Sequence, residues 1–370
     1  MKITAAIPCY NLQNRISVCL ESLIAQDYKN IEILIIDDCS TDNSVEVINC
    51  FIDLHPEREF RLIVNEKNLG LSEVRNLAIN EASGEALYFL DGDDTIEPET
   101  LSLLQQRMKE TNAEIVCGSY RKKDINGNSF FFKQYPEDTI KGEFALATYL
   151  RKYINGSFRV AVWNILYNLD FLRTHDICCS THYRTYESSL FTFKVALYAR
   201  NVSYIHDITY NQFSVPTSIS HQKKDLAFLH TVQAVIISVF DERCDYENRH
   251  KNQIIPPAIL FMLSNICLTN GLLKKAMEAD VNKNEKKIFL RWLKGEFHKN
   301  NMKWGSVVGI YNKISYMLLF SPFPYLLFRL YFSHLKAISK VVEYYIKIAK
   351  QILNSRRYEV LHNERNPRVS

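Results

Sequence analysis

The sequence predicts an α/β fold in which helices cover both faces of a mainly parallel sheet. Over about the first 120 residues, short apolar runs alternate with segments whose apolar residues recur at helical spacing. The first two runs are almost entirely apolar, as strands in the interior of a sheet require. Polar and acidic residues follow the runs, which is typical of strands that end at a ligand crevice.

The predicted elements alternate along the first third of the chain. Residues 3–7 form the first strand, which Pro8 ends, and residues 15–26 form the first helix. The other predicted strands are residues 31–36, 60–64, 86–90 and 114–117, and the other predicted helices are residues 44–54, 71–82 and 98–111. Parallel strands joined in this way place their carboxyl ends at one edge of the sheet.

Three carboxylates occur within four residues, directly after the fourth predicted strand: Asp91, Asp93 and Asp94. Carboxylates this close repel one another unless a cation lies between them. Mg²⁺ and Mn²⁺ prefer such oxygen ligands and are commonly held by one or two carboxylates together with substrate phosphates. The alternative interpretation is a solvated acidic turn that caps the following helix.

Polar segments follow four of the predicted strands, at residues 8–11, 37–38, 65–70 and 91–94. In a doubly wound sheet these loops open on the same edge, so they predict a crevice of nucleotide size with a metal site. The sequence contains neither Gly-x-x-x-x-Gly-Lys nor Gly-x-Gly-x-x-Gly. A P-loop kinase and a dinucleotide-dependent oxidoreductase are therefore not expected.

Four motifs follow one another along this part of the chain: residues 6–11, residues 36–42, residues 68–72 with Arg75-Asn76, and residues 89–94. In order and spacing, these motifs resemble glycosyltransferase family 2, whose members have the GT-A fold, a Rossmann-like fold of nucleotide-diphospho-sugar transferases. Two weaker matches follow: residues 163–167 resemble the acceptor-side strand, and residues 186–191 stand where the family has a Glu-Asp pair. Beyond about residue 222 we find no resemblance.

The resemblance implies roles for individual residues. Those implied to contact the nucleotide sugar are Pro8, Tyr10, Asn11, Asp38, Asn68, Gly70, Arg75, Asp91, Gly92 and Asp93. Pro8 and Asp38 are implied to contact uracil, and a carboxylate can accept the uracil imide N–H; the alternative for Asp38 is a helix-capping acid. The alternative for Arg75 is a surface ion pair. Asp93, together with Asp91, is implied to hold Mn²⁺ or Mg²⁺, and Asp94 to support them or cap a helix.

The resemblance also implies an activity, namely metal-dependent inverting transfer of a sugar from a nucleotide sugar, expected to be a UDP-sugar. The acceptor would be a glycan or a lipid-linked glycan in surface polysaccharide assembly. Transfer needs a general base for the acceptor hydroxyl. The family's Asp is replaced by Ser188 here, so Glu187 is the expected base, with His182 or His206 as alternatives.

Two other functions stay open at this point. The loss of the family's Asp is compatible with a catalytically impaired protein that binds sugar nucleotides as a scaffold. A nucleotidyltransferase could use the same kind of metal crevice, but the sequence lacks a Gly-rich basic loop near its start.

Charge is distributed unevenly along the chain. Residues 271–370 carry 19 Lys and Arg against 7 Asp and Glu, so residues 1–270 carry 26 against 34. The net charges are therefore +12 and −8, which indicates an anionic partner for the basic part.

Nucleic acid is not expected because no nucleic-acid-binding motif is present. A membrane surface fits better, because residues 314–328 are uncharged and residues 335–353 form a predicted helix with one lysine face and one apolar face. The alternative for this helix is packing on the protein's own core with the lysine face in solvent.

These patterns predict four regions. They are a GT-A catalytic domain at residues 1–222, a helical extension at 223–310, membrane-interfacial helices at 311–355 and a polar tail at 356–370. In the extension, Pro256-Pro257 marks a break and residues 283–287 a charged turn. Scattered cysteines and the lack of a secretory signal predict a cytoplasmic protein, peripheral on the inner face of the membrane.

Overall fold

The computed structural model of the protein describes residues 1–142, 161–181, 188–214, 224–250, 276 and 279–301. The strands in these residues are β1 (Ile3–Cys9), β2 (Ile31–Asp37), β3 (Glu59–Val64), β4 (Ala86–Phe89), β5 (Thr95–Ile96), β6 (Ile115–Lys123), β7 (Ser129–Lys133), β8 (Asp138–Lys141), β9 (Ile165–Asn168) and β10 (Asn201–Phe213). The helices are α1 (Ile16–Ile24), α2 (Ser44–Leu54), α3 (Leu71–Glu81), α4 (Thr100–Thr111), α5 (Leu169–Thr174), α6 (Ser188–Tyr198), α7 (Leu226–Arg249) and α8 (Lys283–Asn301).

All of these strands belong to one sheet, in the order β3-β2-β1-β4-β9-β6-β10-β5, with β7 paired to β6 and β8 to β10. β1 to β4 are mutually parallel. β9 is antiparallel to β4 and to β6, so β6 again runs in the direction of β4, and β10 is parallel to β6. The carboxyl ends of β1, β2, β4, β6 and β10 therefore lie at one edge of the sheet. The predicted α/β fold with a mainly parallel sheet is confirmed.

Helices cover both faces of the sheet, as predicted. α1, α2 and α4 contribute Leu20, Ile48 and Leu104 to a buried apolar cluster on one face. α3 and α6 contribute Val74 and Phe191 to a second cluster on the other face, which α5, α7 and α8 extend. The two clusters hold the sheet rigid between them, so the loops at its carboxyl edge start from fixed positions.

Two predicted strands have different lengths in the structure. β1 continues through Pro8 to Cys9 instead of ending at residue 7. The pairing of β1 with β4 stops at Ala6, so the missing N–H of Pro8 interrupts no hydrogen bonds to β4. On its other side, β1 pairs with β2 through Pro8 to Cys9. β6 is longer than the strand predicted at 114–117 and continues to Lys123. Its second half is stabilised by pairing with β7 and with the end of β10.

Two further predictions need correction. Residues 283–287 are not a charged turn but the start of α8, because the side-chain oxygen of Asn282 accepts the amide N–H groups of Asn284 and Glu285 at 3.0 and 2.9 Å. The acceptor-side strand predicted at 163–167 begins only at Ile165.

Several predictions lie outside the described residues, namely the Pro256-Pro257 break, the segments 314–328 and 335–353, and the tail 356–370. Of the helices in the described part of the chain, none has the length and apolar character needed to cross a membrane. The domain boundaries at residues 222, 310 and 355 stay predictions.

Candidate functional site

The loops after β1 and β2 are tied to each other at the carboxyl edge of the sheet. The amide of Asn11 donates to Ser40 Oγ at 2.9 Å, and the Asn11 side-chain oxygen accepts the amide of Thr41 at 2.8 Å. Asn11 has a φ of 54°, a left-handed conformation that Asn tolerates better than most residues. Pro8 is partly buried, while Tyr10 is 47% exposed beside these bonds. The backbone here is thus ordered, with the Tyr10 ring open to solvent.

Asp38 connects the loop after β2 with the loop after β3. It is 3% exposed, and its carboxylate accepts the amides of Leu69 and Gly70 at 2.8 and 2.7 Å and the side-chain amide of Asn65 at 2.9 Å. Asn68 donates to the Asp38 carbonyl oxygen at 3.2 Å. Asp38 therefore fixes the residues that precede α3. Contact with a nucleobase would use the lone pairs of its carboxylate that these bonds leave open.

Gly70 and Arg75 are positioned by α3. Gly70 precedes the helix with a φ of 91°, a conformation that favours glycine. Arg75 is 3% exposed, and its Nη2 atom lies 3.0 Å from Oδ1 of Asp91. The alternative of a surface ion pair for Arg75 is therefore wrong, because this guanidinium is buried. The Asp91 side chain of this pair is 27% exposed, so the pair lies at the edge of the crevice, where a guanidinium can attract an anion.

The turn after β4 packs tightly against the loop after β1. A Cβ atom on Gly92 would lie 2.7 Å from Leu12 Cδ1 and 3.1 Å from the Pro8 carbonyl oxygen, so a larger residue would require the Leu12 side chain and the Pro8 backbone to shift. Asp93 is partly exposed, and burial together with the Asp91 carboxylate raises the pKa of its carboxyl to about 6. The arrangement would favour a cation beside Asp93, since a cation stabilises the charged form.

Asp94 supports the turn from the inside. It is 3% exposed and accepts Tyr210 Oη–H and the amide of Phe213, both at 2.7 Å. Burial and the charges of Asp93 and Asp91 raise the pKa of Asp94 well above its usual range. These bonds fix the end of β10 to the acidic turn, which agrees with the predicted supporting role and not with a solvated cap.

Arg15 is a site residue that the sequence did not indicate. Its Nη2 atom donates to the Asp93 carbonyl oxygen at 3.0 Å, and its guanidinium carbon lies 4.5 Å from the centre of the Phe213 ring. Tyr210 and Phe213 were missed as well, because β10 was not predicted. The aromatic and β-branched residues of 202–213 are the signal that could have found this strand, whereas Arg15 has no sequence signal.

The acceptor side is described in part. Trp163 stacks on Tyr210 with ring centres 4.6 Å apart, so its place beside the acidic turn is set by β10. Asn164 is buried and donates to the carbonyl oxygens of Gly118 and Ser119, which gives it a structural role. Of the candidate bases, Glu187 and His182 lie outside the described residues.

His206, the other candidate base, lies within β10. Its Nδ1 atom is 2.9 Å from the Tyr135 carbonyl oxygen. That contact holds the ring against the backbone after β7, and no described contact joins it to the acidic turn.

The acidic turn fits a divalent ion only together with a ligand that brings its own oxygens. In the described part of the chain, no group of three or more His, Cys, Asp or Glu side chains could hold a metal ion. Asp91 is already paired with Arg75, and Asp93 has a raised carboxyl pKa. One or two carboxylates plus substrate phosphates form the usual Mg²⁺ environment, so the residues fit an ion that arrives with a diphosphate.

Comparison with known proteins identifies the family. The sequence model of "Glycosyl transferase family 2" matches residues 4–192, half of the chain. Glycosyltransferase GlyG of Streptococcus pneumoniae is 25% identical over 247 residues, which cover 65% of this chain and 79% of GlyG. Glycosyltransferase GlyA of the same organism is 38% identical over 132 residues, which cover 35% of this chain and 18% of GlyA. The chain thus spans less than a fifth of one of these relatives and most of the other.

A solved structure extends the comparison. The crystal structure of Staphylococcus aureus TarS 1-349 in complex with UDP-GlcNAc superposes with a TM-score of 0.63 at 20% identity, covering 86% of this chain and 91% of that chain. In sequence, TarS, a poly(ribitol-phosphate) β-N-acetylglucosaminyltransferase, is 26% identical over 265 residues, which cover 69% of this chain and 43% of TarS. With the family model matched over half of its length and the same α/β fold, the chain is a glycosyltransferase of family 2.

Proposed function

We propose that this protein transfers a hexose or N-acetylhexosamine from a UDP-sugar, with Mn²⁺ or Mg²⁺, to a glycan or lipid-linked acceptor. The observation that carries the proposal is the edge of the sheet where Asp38, Arg75, Asp91 and Asp93 converge. The names of the relatives support it, since TarS is named as an N-acetylglucosaminyltransferase and its structure holds UDP-GlcNAc. The resemblance supports the assembly of a surface polysaccharide as the setting.

Donor binding would use the crevice between the loops after β1, β2, β3 and β4. Pro8 and Asp38 would lie beside uracil, with Tyr10 and Asn11 at the rim. Asn68 and Gly70 would flank the ribose, and the buried Arg75 would attract the diphosphate while holding Asp91 in place. Asp93 and Asp91 would hold the divalent ion, which when bound supplies Lewis-acid neutralisation of the leaving diphosphate.

The acceptor hydroxyl would lose its proton to a carboxylate on the opposite face of the sugar. Glu187 is the residue we assign to this step, and direct displacement with one base inverts the anomeric centre. Exclusion of water from the closed crevice would favour transfer over hydrolysis.

Membrane association is part of the proposal. We propose that the basic amphipathic segments at residues 311–355 attach the enzyme to the cytoplasmic face of the membrane, where a lipid-linked acceptor would be available. The support is the charge of residues 271–370, with 19 Lys and Arg against 7 Asp and Glu.

One observation favours a second candidate, a catalytically impaired protein that binds sugar nucleotides. Ser188 stands where the family has its usual base and lies in the first turn of α6, where its carbonyl oxygen accepts Thr192 Oγ1–H at 2.6 Å. A hydroxyl there cannot accept a proton at neutral pH without a partner of its own.

A screen for donor hydrolysis separates these functions. The protein is incubated with a panel of UDP-sugars and Mn²⁺, and free UDP is measured with time. A transferase hydrolyses its own donor slowly when no acceptor is present, whereas an impaired protein binds a donor without turnover. Release of pyrophosphate from UTP and a sugar phosphate would instead indicate a nucleotidyltransferase and contradict the proposal.

A further inference from the structure

The hairpin formed by the end of β6, the turn at 124–128 and β7 exposes an apolar surface, and we call residues 121–133 the aromatic hairpin. Three consecutive residues of β7 are open to solvent: Phe130 is 60%, Phe131 40% and Phe132 56% exposed. Ile125 in the turn is 66% exposed. Consecutive residues of a strand point to opposite faces, so both faces of the hairpin are apolar.

The aromatic hairpin projects from the same edge of the sheet as the candidate site. Lys123 at the end of β6 pairs in register with Phe213 at the end of β10, and its Nζ atom lies 5.8 Å from the centre of the Phe213 ring. Arg15 lies against the same ring and donates to the Asp93 carbonyl oxygen. The hairpin is therefore joined to the acidic turn through the side chains of Phe213 and Arg15.

A row of aromatic rings makes a second connection. The Phe131 ring is 6.1 Å from that of Tyr120, Tyr120 is 5.0 Å from Trp163, and Trp163 stacks on Tyr210 at 4.6 Å. The Tyr210 hydroxyl donates to Asp94. The hairpin is thus held in a fixed orientation relative to the site rather than attached by a flexible linker.

The charge of the aromatic hairpin is opposite to that of the surrounding catalytic part. Residues 121–133 contain Arg121, Lys122, Lys123 and Lys133 against Asp124, a net charge of +3, whereas residues 1–270 as a whole have a net charge of −8. Arg121 is paired with Glu97 and lies opposite Phe132, while Lys122 lies opposite Phe131 in the pairing of β6 with β7. Cations beside exposed apolar rings complement a surface that is anionic outside and apolar inside, because long basic side chains keep their charge at the interface.

We propose that the aromatic hairpin inserts into an anionic lipid bilayer and holds the sugar-transfer site at the membrane surface. A protein partner would cover one face of the hairpin, whereas a bilayer surrounds both faces, and both are apolar. The exposed rings belong to Phe, which brings no polar group into the hydrocarbon. The inference rests on the proposed function in one respect, since a lipid-linked acceptor gives the contact its purpose.

Tryptophan fluorescence of the full chain tests the insertion directly. In Phe130→Trp, addition of phosphatidylcholine vesicles that contain phosphatidylglycerol is expected to shift the additional emission to shorter wavelength, and brominated lipid is expected to quench it. The matched control is Leu54→Trp, since Leu54 is 74% exposed at the end of α2, which runs from the carboxyl edge towards the opposite edge. Its emission is expected to stay unchanged.

A second variant measures the strength of the contact. In the double variant Phe130→Ser/Phe132→Ser, vesicle binding measured by flotation of the full chain is expected to weaken. The expected loss is about tenfold for each Phe removed, because burying one such ring favours binding by more than a factor of ten. Leu54→Ser is expected to float like the wild type. Circular dichroism of each variant confirms that it is folded.

Several results would overturn the inference. One is a Phe130→Trp emission that brominated lipid does not quench, and another is a loss of vesicle binding in Leu54→Ser equal to that in Phe130→Ser/Phe132→Ser. A third is a Phe130→Trp emission that is already blue-shifted before vesicles are added, which would mean that the chain itself covers the hairpin. Concentration-dependent dimers that Phe130→Ser/Phe132→Ser abolishes would assign the surface to a second copy instead. Hydrolysis of a soluble UDP-sugar distinguishes the two proposals, because its absence in wild-type protein contradicts the transferase and not the insertion.

Discussion

At the residue scale, the sequence located the carboxylates of the site but not what holds them. Asp91 and Asp93 were predicted because three acids follow a buried strand, a pattern that is visible without any partner. Their environment depends on Arg75 and Arg15, which lie 16 and 78 positions away along the chain from their contacts. Pairs at such separations form only when the sheet assembles, so local patterns cannot reveal them.

The raised pKa of Asp93 predicts a conflict between stability and function. The carboxyl has a folded-state pKa of about 6 against 3.8 for the free group. The folded chain therefore binds the proton more tightly, and its stability falls as the pH rises from 3.8 to 6. Asp93→Asn removes this loss and should raise the free energy of unfolding at neutral pH by about 3 kcal/mol at most, as measured by urea denaturation.

Two controls accompany that measurement. The gain should vanish well below pH 3.8, where the carboxyl is protonated in both states. Asp124→Asn should show no gain at neutral pH, because hydrogen bonds from Asn128 and Asn126 lower the pKa of Asp124 in the folded chain. A neutral-pH stability for Asp93→Asn that is equal to or below that of the wild type would show that the Asp93 charge is not costly.

The general base is tested by a pair of substitutions. Glu187→Gln should lower the transfer rate by at least about two orders of magnitude, as removal of a general base does, with donor affinity unchanged. Rates come from UDP release and affinity from calorimetry. If Glu187→Gln stays active while Ser188→Asp gains activity, the site is a degraded Glu-Asp motif and the assignment to Glu187 is wrong.

At the scale of elements, the first four strand–helix units could be predicted, β6 and β9 could be predicted in part, and β5, β7, β8 and β10 could not. The predicted helix at 44–54 and the strand at 31–36 agree with α2 and β2 to within one residue, because each carries its full periodic pattern locally. β5 and β8 are too short for a period to be recognised. Both are antiparallel partners of β10, so their existence depends on a strand that follows much later in the chain.

The connection between β10 and the acidic turn should be essential for donor binding. Tyr210→Phe keeps the stack on Trp163 but removes a hydroxyl that donates to the buried Asp94 at 2.7 Å. The loss should lower the free energy of unfolding by about 1–3 kcal/mol and weaken UDP binding, since the turn that carries Asp93 is no longer fixed. Urea unfolding and calorimetric titration with UDP measure the two effects.

Tyr88→Phe is the matched control for Tyr210→Phe. Tyr88 is also fully buried, and its hydroxyl donates to Asn164 at 3.1 Å instead of to an acid of the turn. A comparable loss of stability with normal UDP affinity is expected. Equal loss of UDP affinity in both variants would show that the effect of Tyr210 is general destabilisation.

At the scale of the whole molecule, the charge pattern sets the orientation that we propose. Residues 1–270 carry a net charge of −8 and residues 271–370 carry +12, while the aromatic hairpin is a basic segment inside the acidic part. The hairpin leaves the sheet at the edge where the loops of the site converge. Net charge could be read from the sequence, but the position of the hairpin required the register of β6 with β10.

Calorimetric titration of the full chain with UDP tests whether this edge of the sheet binds a nucleoside diphosphate together with a divalent ion. The described residues include no complete metal site, so UDP and Mn²⁺ should strengthen each other's binding by the same factor, as linkage requires. Asp93→Ala should abolish this coupling while the protein stays folded. UDP affinity that is unchanged by EDTA in the wild type, or coupling that survives in Asp93→Ala, would contradict the account.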